Sequence, residues 1–363
     1  MISDAKAVFA NPIWCSTSGL RPSRFVFSGS KMSTAILERD PAPSPPVVAP
    51  PGRTSTRVII AFGLVYVVWG STYLAIRVGI ESFPPLLLAG SRHLLTGLIL
   101  YPILRWKTGV RPTPAHWRMS FITGFLLLAV GNGGVCLAER TVPSGVTALL
   151  VATVSLWMVL VDWLRPGGTR PGARVVAGLL LGFGGLALLV GPKNLGGTGR
   201  VDPLGVGLLV IASLAWASGS VYSKHSGELS GSPLMGAAMQ CLAGGVCLWI
   251  AGIVTGELRA LHLSAVSERS WAALAYLIVF GSMVGFTAYI YILKESTATR
   301  VATYAFVNPV VALFLGWLLI GESINLRTII AATVILTAVL LVITSPHPAP
   351  HTREHRAIEP AEA

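Results

Sequence analysis

Residues 65–93 read VYVVWGSTYLAIRVGIESFPPLLLAGSRH. Two apolar runs meet at Glu81-Ser82-Phe83-Pro84-Pro85, where charge and paired prolines end one helix and open the next. Tyr66, Trp69, Tyr73 and Arg77 recur at steps of three or four and therefore share one face of the first helix. Outward from this stretch the same alternation of apolar runs and polar breaks continues. It predicts spans at 58–80, 84–104, 119–138, 143–164, 173–191, 203–223, 233–254, 271–293, 301–320 and 326–344. A helix needs ~20 residues to cross a hydrocarbon core of ~30 Å. The expected fold class is an all-α integral membrane protein with ten transmembrane helices.

Composition agrees. The 363 residues are 53% hydrophobic and 12% charged, with a mean hydropathy of +0.70. A soluble domain averages about 25% charged residues, so an ordinary water-soluble fold is excluded. A disordered chain, charge-rich and poor in apolar residues, is excluded as well. The net charge of +12 does not mark a nucleic-acid surface, because all the basic residues but Arg77 and Arg92 fall in the tails, between the spans or at span ends. Of the four cysteines, Cys136, Cys241 and Cys247 lie in apolar runs and act as small hydrophobes, and Cys15 lies near the start. No spacing suits zinc, and no cofactor is expected.

Residues 1–57 are expected to form a disordered cytoplasmic tail with a proline-rich stretch, PAPSPPVVAPPG, at 41–52. Met32 opens a second start-like sequence, so residues 1–31 read either as an arm or as an over-long start. The stretch 345–363 reads as a second cytoplasmic tail. Its His347, His351 and His355 are four apart, but Pro348 and Pro350 prevent the helix that would align them on a metal. With the N-terminus inside, nineteen of the 27 Lys and Arg residues fall on the cytoplasmic side and six on the other. The positive-inside rule then places both termini in the cytoplasm.

The two halves resemble each other. A shift of 147 residues pairs Trp69 with Trp216, Tyr73 with Ser220 and Arg77 with Lys224; a shift of 148 pairs Pro85 with Pro233 and Arg92 with Gln240. Five spans per copy is an odd number, so the copies enter the membrane from opposite sides. The expected organisation is two inverted five-helix repeats, 58–191 and 203–344, a plan common among secondary transporters.

VVWGSTYLAIRVGIESFPPLLLAGSRH, NPVVALFLGWLLIGESI in the ninth span and the five-plus-five plan resemble the EamA-type branch of the drug/metabolite transporter superfamily, closest to YedA-like exporters. The resemblance covers about 58–344. It implies an inner-membrane carrier for small metabolites, often an exporter of amino acids or related compounds.

Ionisable groups in hydrocarbon are costly and mark function by default. Arg92 is the best case: seven residues past Pro85 is ~10 Å along the helix, too deep for easy snorkelling. Glu81, Glu139 or a bound anion are the candidate counter-charges, and Gln240 is its repeat mate. Trp69, Tyr73 and Arg77 on the first span, and Trp216, Ser220 and Lys224 on the sixth, form aromatic and hydroxyl stripes ending in a cation. They read either as a pathway lining or as interfacial belts with snorkelling cations. Gly131-Asn132-Gly133-Gly134 and Asn308-Pro309 make the third and ninth spans breakable, although Gly133 and Gly134 read more readily as close helix packing and Pro309 equally as a plain kink; Asn132, Tyr304 and Asn308 are further pathway residues. His93 faces about 100° away from Arg92, and acidic residues lie only in tails, loops or span ends, so proton coupling and facilitated diffusion both stay open. The expected partners are a small-molecule substrate and the lipid bilayer, with a homodimer admissible and no nucleic acid. A membrane enzyme would need a clustered nucleophile, base or metal set, which the sequence lacks. A flippase or facilitator for a lipid-linked or uncharged substrate is the alternative to an exporter.

Overall fold

Proline and glycine set the helix boundaries in the computed structural model, which describes residues 56–168, 170–190, 202–225, 232–296, 301 and 303–344. The two tails, Cys15 and the histidine triplet lie outside the described residues. Among these residues ten main helices follow in order: α1 Thr56–Gly79, α2 Pro85–Thr108, α3 Pro114–Ala138, α4 Ser144–Leu164, α5 Ala173–Val190, α6 Pro203–His225, α7 Pro233–Val254, α8 Glu268–Glu295, α9 Tyr304–Ile320 and α10 Leu326–Ile343. Pro85, Pro114 and Pro233 open their helices at a position where a missing N–H costs nothing. Thr113, Ser267 and Asn325 cap α3, α8 and α10 through their side chains. Gly109 and Gly321, at φ 66° and 68°, close α2 and α9 in the left-handed conformation.

Among the described residues there is no strand, and eight helices are both long and apolar enough to cross a membrane. The other two, α5 and α9, are shorter apolar helices. Every predicted span corresponds to one of the ten helices.

Helices pack in antiparallel pairs that join the first five to the last five. On α2 and α7, Gly97 faces Leu242, Leu94 faces Gly245 and Leu87 faces Gly252. On α5 and α10, Gly178 faces Val342 and Gly185 faces Ile335. Gly145 of α4 faces Leu313 of α9, and Gly134 of α3 faces Ala212 of α6. Trp69 of α1 reaches Gly285 of α8, while Val78 meets Ser270 further back along the same helix. Exchanging α1–α5 for α6–α10 leaves this set of pairs unchanged. Small residues at the contacts let the backbones approach closely, the usual basis of helix association in lipid. Leu87, Leu149, Leu209, Leu277 and Ile335 are fully buried between helices. Ile60, Val67, Leu98, Leu180 and Leu319 point outward, an apolar exterior suited to hydrocarbon.

Among the described residues three π-helical segments interrupt the α-helices: Val65–Trp69 in α1, Phe125–Asn132 in α3 and Leu277–Val284 in α8. Such segments shift the backbone bonding register and cluster at functional positions. The one in α3 takes in Gly131 and Asn132 of the stretch that marked the third span as breakable and ends just before Gly133. The ninth span differs from expectation. α9 runs unbroken through Pro309, which is buried against its neighbours, and packing helices can accommodate a proline in this way.

Candidate functional site

The π segment of α8 brings together two of the expected residues. Trp69 Nε1 donates to the carbonyl oxygen of Gly281 at 3.2 Å, and Arg92 Nε donates to Ser282 Oγ at 3.0 Å. A Cβ on Gly281 would lie 3.0 Å from Thr72 and 3.3 Å from Arg92 Nη2, so glycine is what lets α8 come this close. Arg92 is 7% exposed. Among the described residues no carboxylate lies within ion-pair distance of it; the single ion pair is Arg165–Asp162. Glu81, expected as one counter-charge, is exposed in the α1–α2 turn, and Glu139 does not pair with Arg92 either.

Trp69 also centres an aromatic cluster. Its ring centroid is 5.0 Å from Tyr289, 5.3 Å from Tyr304 and 5.8 Å from Phe286. Asn308 is buried one helical turn beyond Tyr304. With its amide nitrogen turned toward α1, it donates to the carbonyl oxygens of Tyr66 at 3.2 Å and Tyr304 at 3.3 Å. It therefore ties α9 to the π segment of α1. Tyr73 lies one turn along α1 from Trp69, half-buried against the core.

Asn132 ends the α3 π segment, with Oδ1 3.1 Å from His93 Nε2; the histidine donates in its Nε2–H tautomer. Arg92 and His93, adjacent in sequence, thus face α8 and α3 respectively. Trp216 packs against Gly131 of the α3 π segment. Both repeat-matched tryptophans thus meet the third helix of the opposite half: Trp216 packs on Gly131, and Trp69 donates to the Gly281 carbonyl and lies against Gly285. Ser220 spends its hydroxyl on the Trp216 carbonyl at 2.8 Å. Gln240 is not brought to Arg92. The α2/α7 register sets it level with the region around Ile99, and its backbone carbonyl packs on Gly124.

Arg77 lies at the other end of α1 and donates to the backbone carbonyl of Glu139, closing the C-terminus of α3. At this same end carboxylates from the second half cap helices of the first. Glu257 accepts from the Leu86 and Leu87 amides at 2.9 and 3.1 Å, and Glu322 from those of Ser144 and Gly145 at 2.6 and 3.1 Å. Partial burial raises the Glu257 carboxyl, against the pull of those two amides and of Arg140. Asp202, exposed ahead of α6, is held low by its hydrogen bonds to Thr141 and to the amides of Leu204 and Gly205. Among the described residues no group of three or more His, Cys, Asp or Glu side chains is arranged to hold a metal ion.

Sequence reasoning missed Gly281, Ser282, Phe286 and Tyr289. The spacing of small residues in Gly281-Ser282-Met283-Val284-Gly285 was the available signal, since it marks close helix approach.

A bundle of apolar helices with polar and aromatic side chains gathered on π segments in its interior is the build of a membrane carrier. The chain belongs to the EamA-like transporter family, whose profile matches residues 56–191 and again 203–344. It is 39% identical over 279 residues to the uncharacterized inner membrane transporter YedA of Escherichia coli K12, covering 76% of this chain and 87% of that one. It is 25% identical over 285 residues to a probable amino-acid metabolite efflux pump of the same organism, covering 77% and 92%. A solved crystal structure matches with a TM-score of 0.55 at 19% identity, covering 80% of this chain and 98% of that one, which speaks for the fold. The protein is a multi-pass inner-membrane transporter.

Proposed function

We propose that this protein exports a small amphiphilic metabolite bearing a carboxylate, an amino acid or a related compound, by alternating access. The observation that carries the reading is Arg92: a buried guanidinium with one side-chain hydrogen bond and no acidic partner among the described residues, set close to the Trp69–Tyr289–Tyr304 cluster. A guanidinium presents five donors that match a carboxylate fork, and aromatic faces suit the apolar part of the same molecule. The name of the amino-acid metabolite efflux pump among its relatives points the same way.

Two inverted five-helix repeats, ten crossings and both termini in the cytoplasm complete the proposal. The exchange-symmetric, antiparallel pairing of α1–α5 with α6–α10 supports the inversion. The charge bias of the early loops supports the orientation. The substrate and the surrounding lipid are the partners proposed, with no cofactor and no enzymatic step.

A second reading, a flippase or facilitator for a lipid-linked or uncharged substrate, is favoured by one feature. An apolar groove between α9 and α10, lined by Phe306, Val307, Val310, Leu336 and Leu340, opens on the exterior of the bundle. A panel of radiolabelled amino acids, other carboxylates and uncharged metabolites, measured for efflux from cells with and without the protein at two external pH values, separates the readings. Protein-dependent efflux of carboxylates is expected. Efflux confined to the uncharged metabolites, or none of any panel compound, overturns the first reading.

A further inference from the structure

Glu139, at the C-terminal end of α3, is the least expected side chain in the molecule. It is fully buried, and neither carboxylate oxygen has a hydrogen-bond partner. The neighbouring Glu322 and Glu257 spend their oxygens on helix-opening amides, and Asp202 is engaged by Thr141 and by its own helix. Arg77, the nearest cation, directs a guanidinium N–H to the backbone carbonyl of Glu139 instead of to its carboxylate. The remaining charged or titratable groups around it are Tyr73 on α1, Cys136 one turn back on α3, and Arg140 next in the chain.

An ionised carboxylate without a partner is costly away from water. Burial first, then the like charge of Glu322, push the Glu139 carboxyl well above the usual carboxylate range, with Arg77 pulling the other way. Sequence reading treated this residue only as a counter-charge for Arg92. The structure shows an isolated carboxyl group at an end of the bundle where the two halves are tied together. Ser82 meets Ser267 and Ser270, Glu257 caps α2 and Glu322 caps α4, each tie crossing from one half to the other.

We propose that Glu139 is a proton-binding site that couples protonation to closure of this end of the transporter. In the closed arrangement the carboxyl group is neutral. When the halves part, water reaches it and its O–H bond breaks. The proton passes to that water, and the carboxylate left behind pairs with Arg77. The inference rests on the alternating-access reading above, under which this end faces outward.

The sign follows from linkage. Below the ordinary carboxylate range both conformations hold the proton, and pH does not move the equilibrium. Above it the open form ionises and the closed form does not, so opening is favoured by up to about tenfold per pH unit. The effect levels off once the closed form ionises too.

The test uses the full chain in lipid nanodiscs. Infrared spectra at neutral pH should show a protonated carboxyl band that Glu139→Gln removes. Nitroxide labels on Glu81→Cys and Ser264→Cys, exposed positions in opposite halves at this end, should show a separated population that grows with pH. In Glu139→Gln that population should stay flat with pH. A band that Glu139→Gln leaves undiminished, or a variant that responds to pH like the wild type, overturns the proposal. Should Glu139→Gln not fold, Arg77→Gln carries the test: losing the cation that pairs with the ionised group should move the opening midpoint to higher pH, and an unmoved midpoint overturns it. Labels that never separate in the wild type, at any pH and with the substrate panel present, overturn alternating access itself. That outcome is distinct from labels that separate identically with and without Glu139.

Discussion

Arg92 uses Nε on Ser282 and leaves its Nη groups directed toward the interior beside Gly281. If these hold a substrate carboxylate, Arg92→Ala removes a charge-assisted bond worth about 1.5–3 kcal/mol. Transport of the panel compound moved by the wild type should fall at least about tenfold, while the amount of inserted protein stays the same. Arg92→Lys keeps the charge and loses the fork, so it should recover part of the rate. Undiminished transport by inserted Arg92→Ala would remove Arg92 from the site. The depth of Arg92 was legible because it follows from counting residues from Pro85. Its partner was not: Ser282 is 190 positions away, and one sequence does not state which helices meet. The same limit applies to Glu139, whose position at a span end is plain in the sequence, whereas its lack of any partner is visible only once neighbouring helices have claimed theirs.

Helix existence was legible throughout, because an apolar run bounded by proline or charge has few alternatives in lipid. The interruptions were less so. The glycines of α3 pointed to the correct helix, and Gly281 and Gly285 offered a similar sign in α8, whereas the π segment Val65–Trp69 of α1 contains no glycine. Pro309 misled in the opposite direction. It does not break α9, because Asn308 and the packing of α9 against α1 and α4 hold the helix through it. The α2/α7 contact offers a direct test of how tightly the elements are fitted. A Cβ at Gly245 would come within 2.9 Å of Leu94, including its backbone, and backbone cannot yield as a side-chain end can. Gly245→Val should cost about 1–3 kcal/mol or more through overpacking, read as a lowered Tm of the purified protein. Gly63→Ala, with nothing within 4 Å, should leave Tm unchanged or slightly raised. Equal behaviour of the two variants would mean that the α2/α7 seam is not closely packed.

At the scale of the whole molecule, the repeat reading and the packing converge from independent directions. The sequence aligned Trp69 with Trp216. The structure brings each to glycines of the third helix in the opposite half, Trp216 to Gly131 and Trp69 to Gly281 and Gly285. On the proposed inverted plan symmetry does not supply direction, because a molecule built that way looks similar from either face. Only the charges break that tie, and their bias is carried by the first half and the tails. Orientation is therefore the whole-molecule property that most needs measurement. With both termini inside, the α7–α8 connection faces outward and the start of α3 faces the cytoplasm. Ser264 and Ala115 are exposed on these two sides, while Cys136 and Cys241 are buried. In intact cells a membrane-impermeant thiol reagent should label Ser264→Cys at once, and Ala115→Cys only after the membrane is opened. The reverse pattern would turn the protein over. Glu139 would then lie at the cytoplasmic end, and the pH that governs closure would be that of the cell interior.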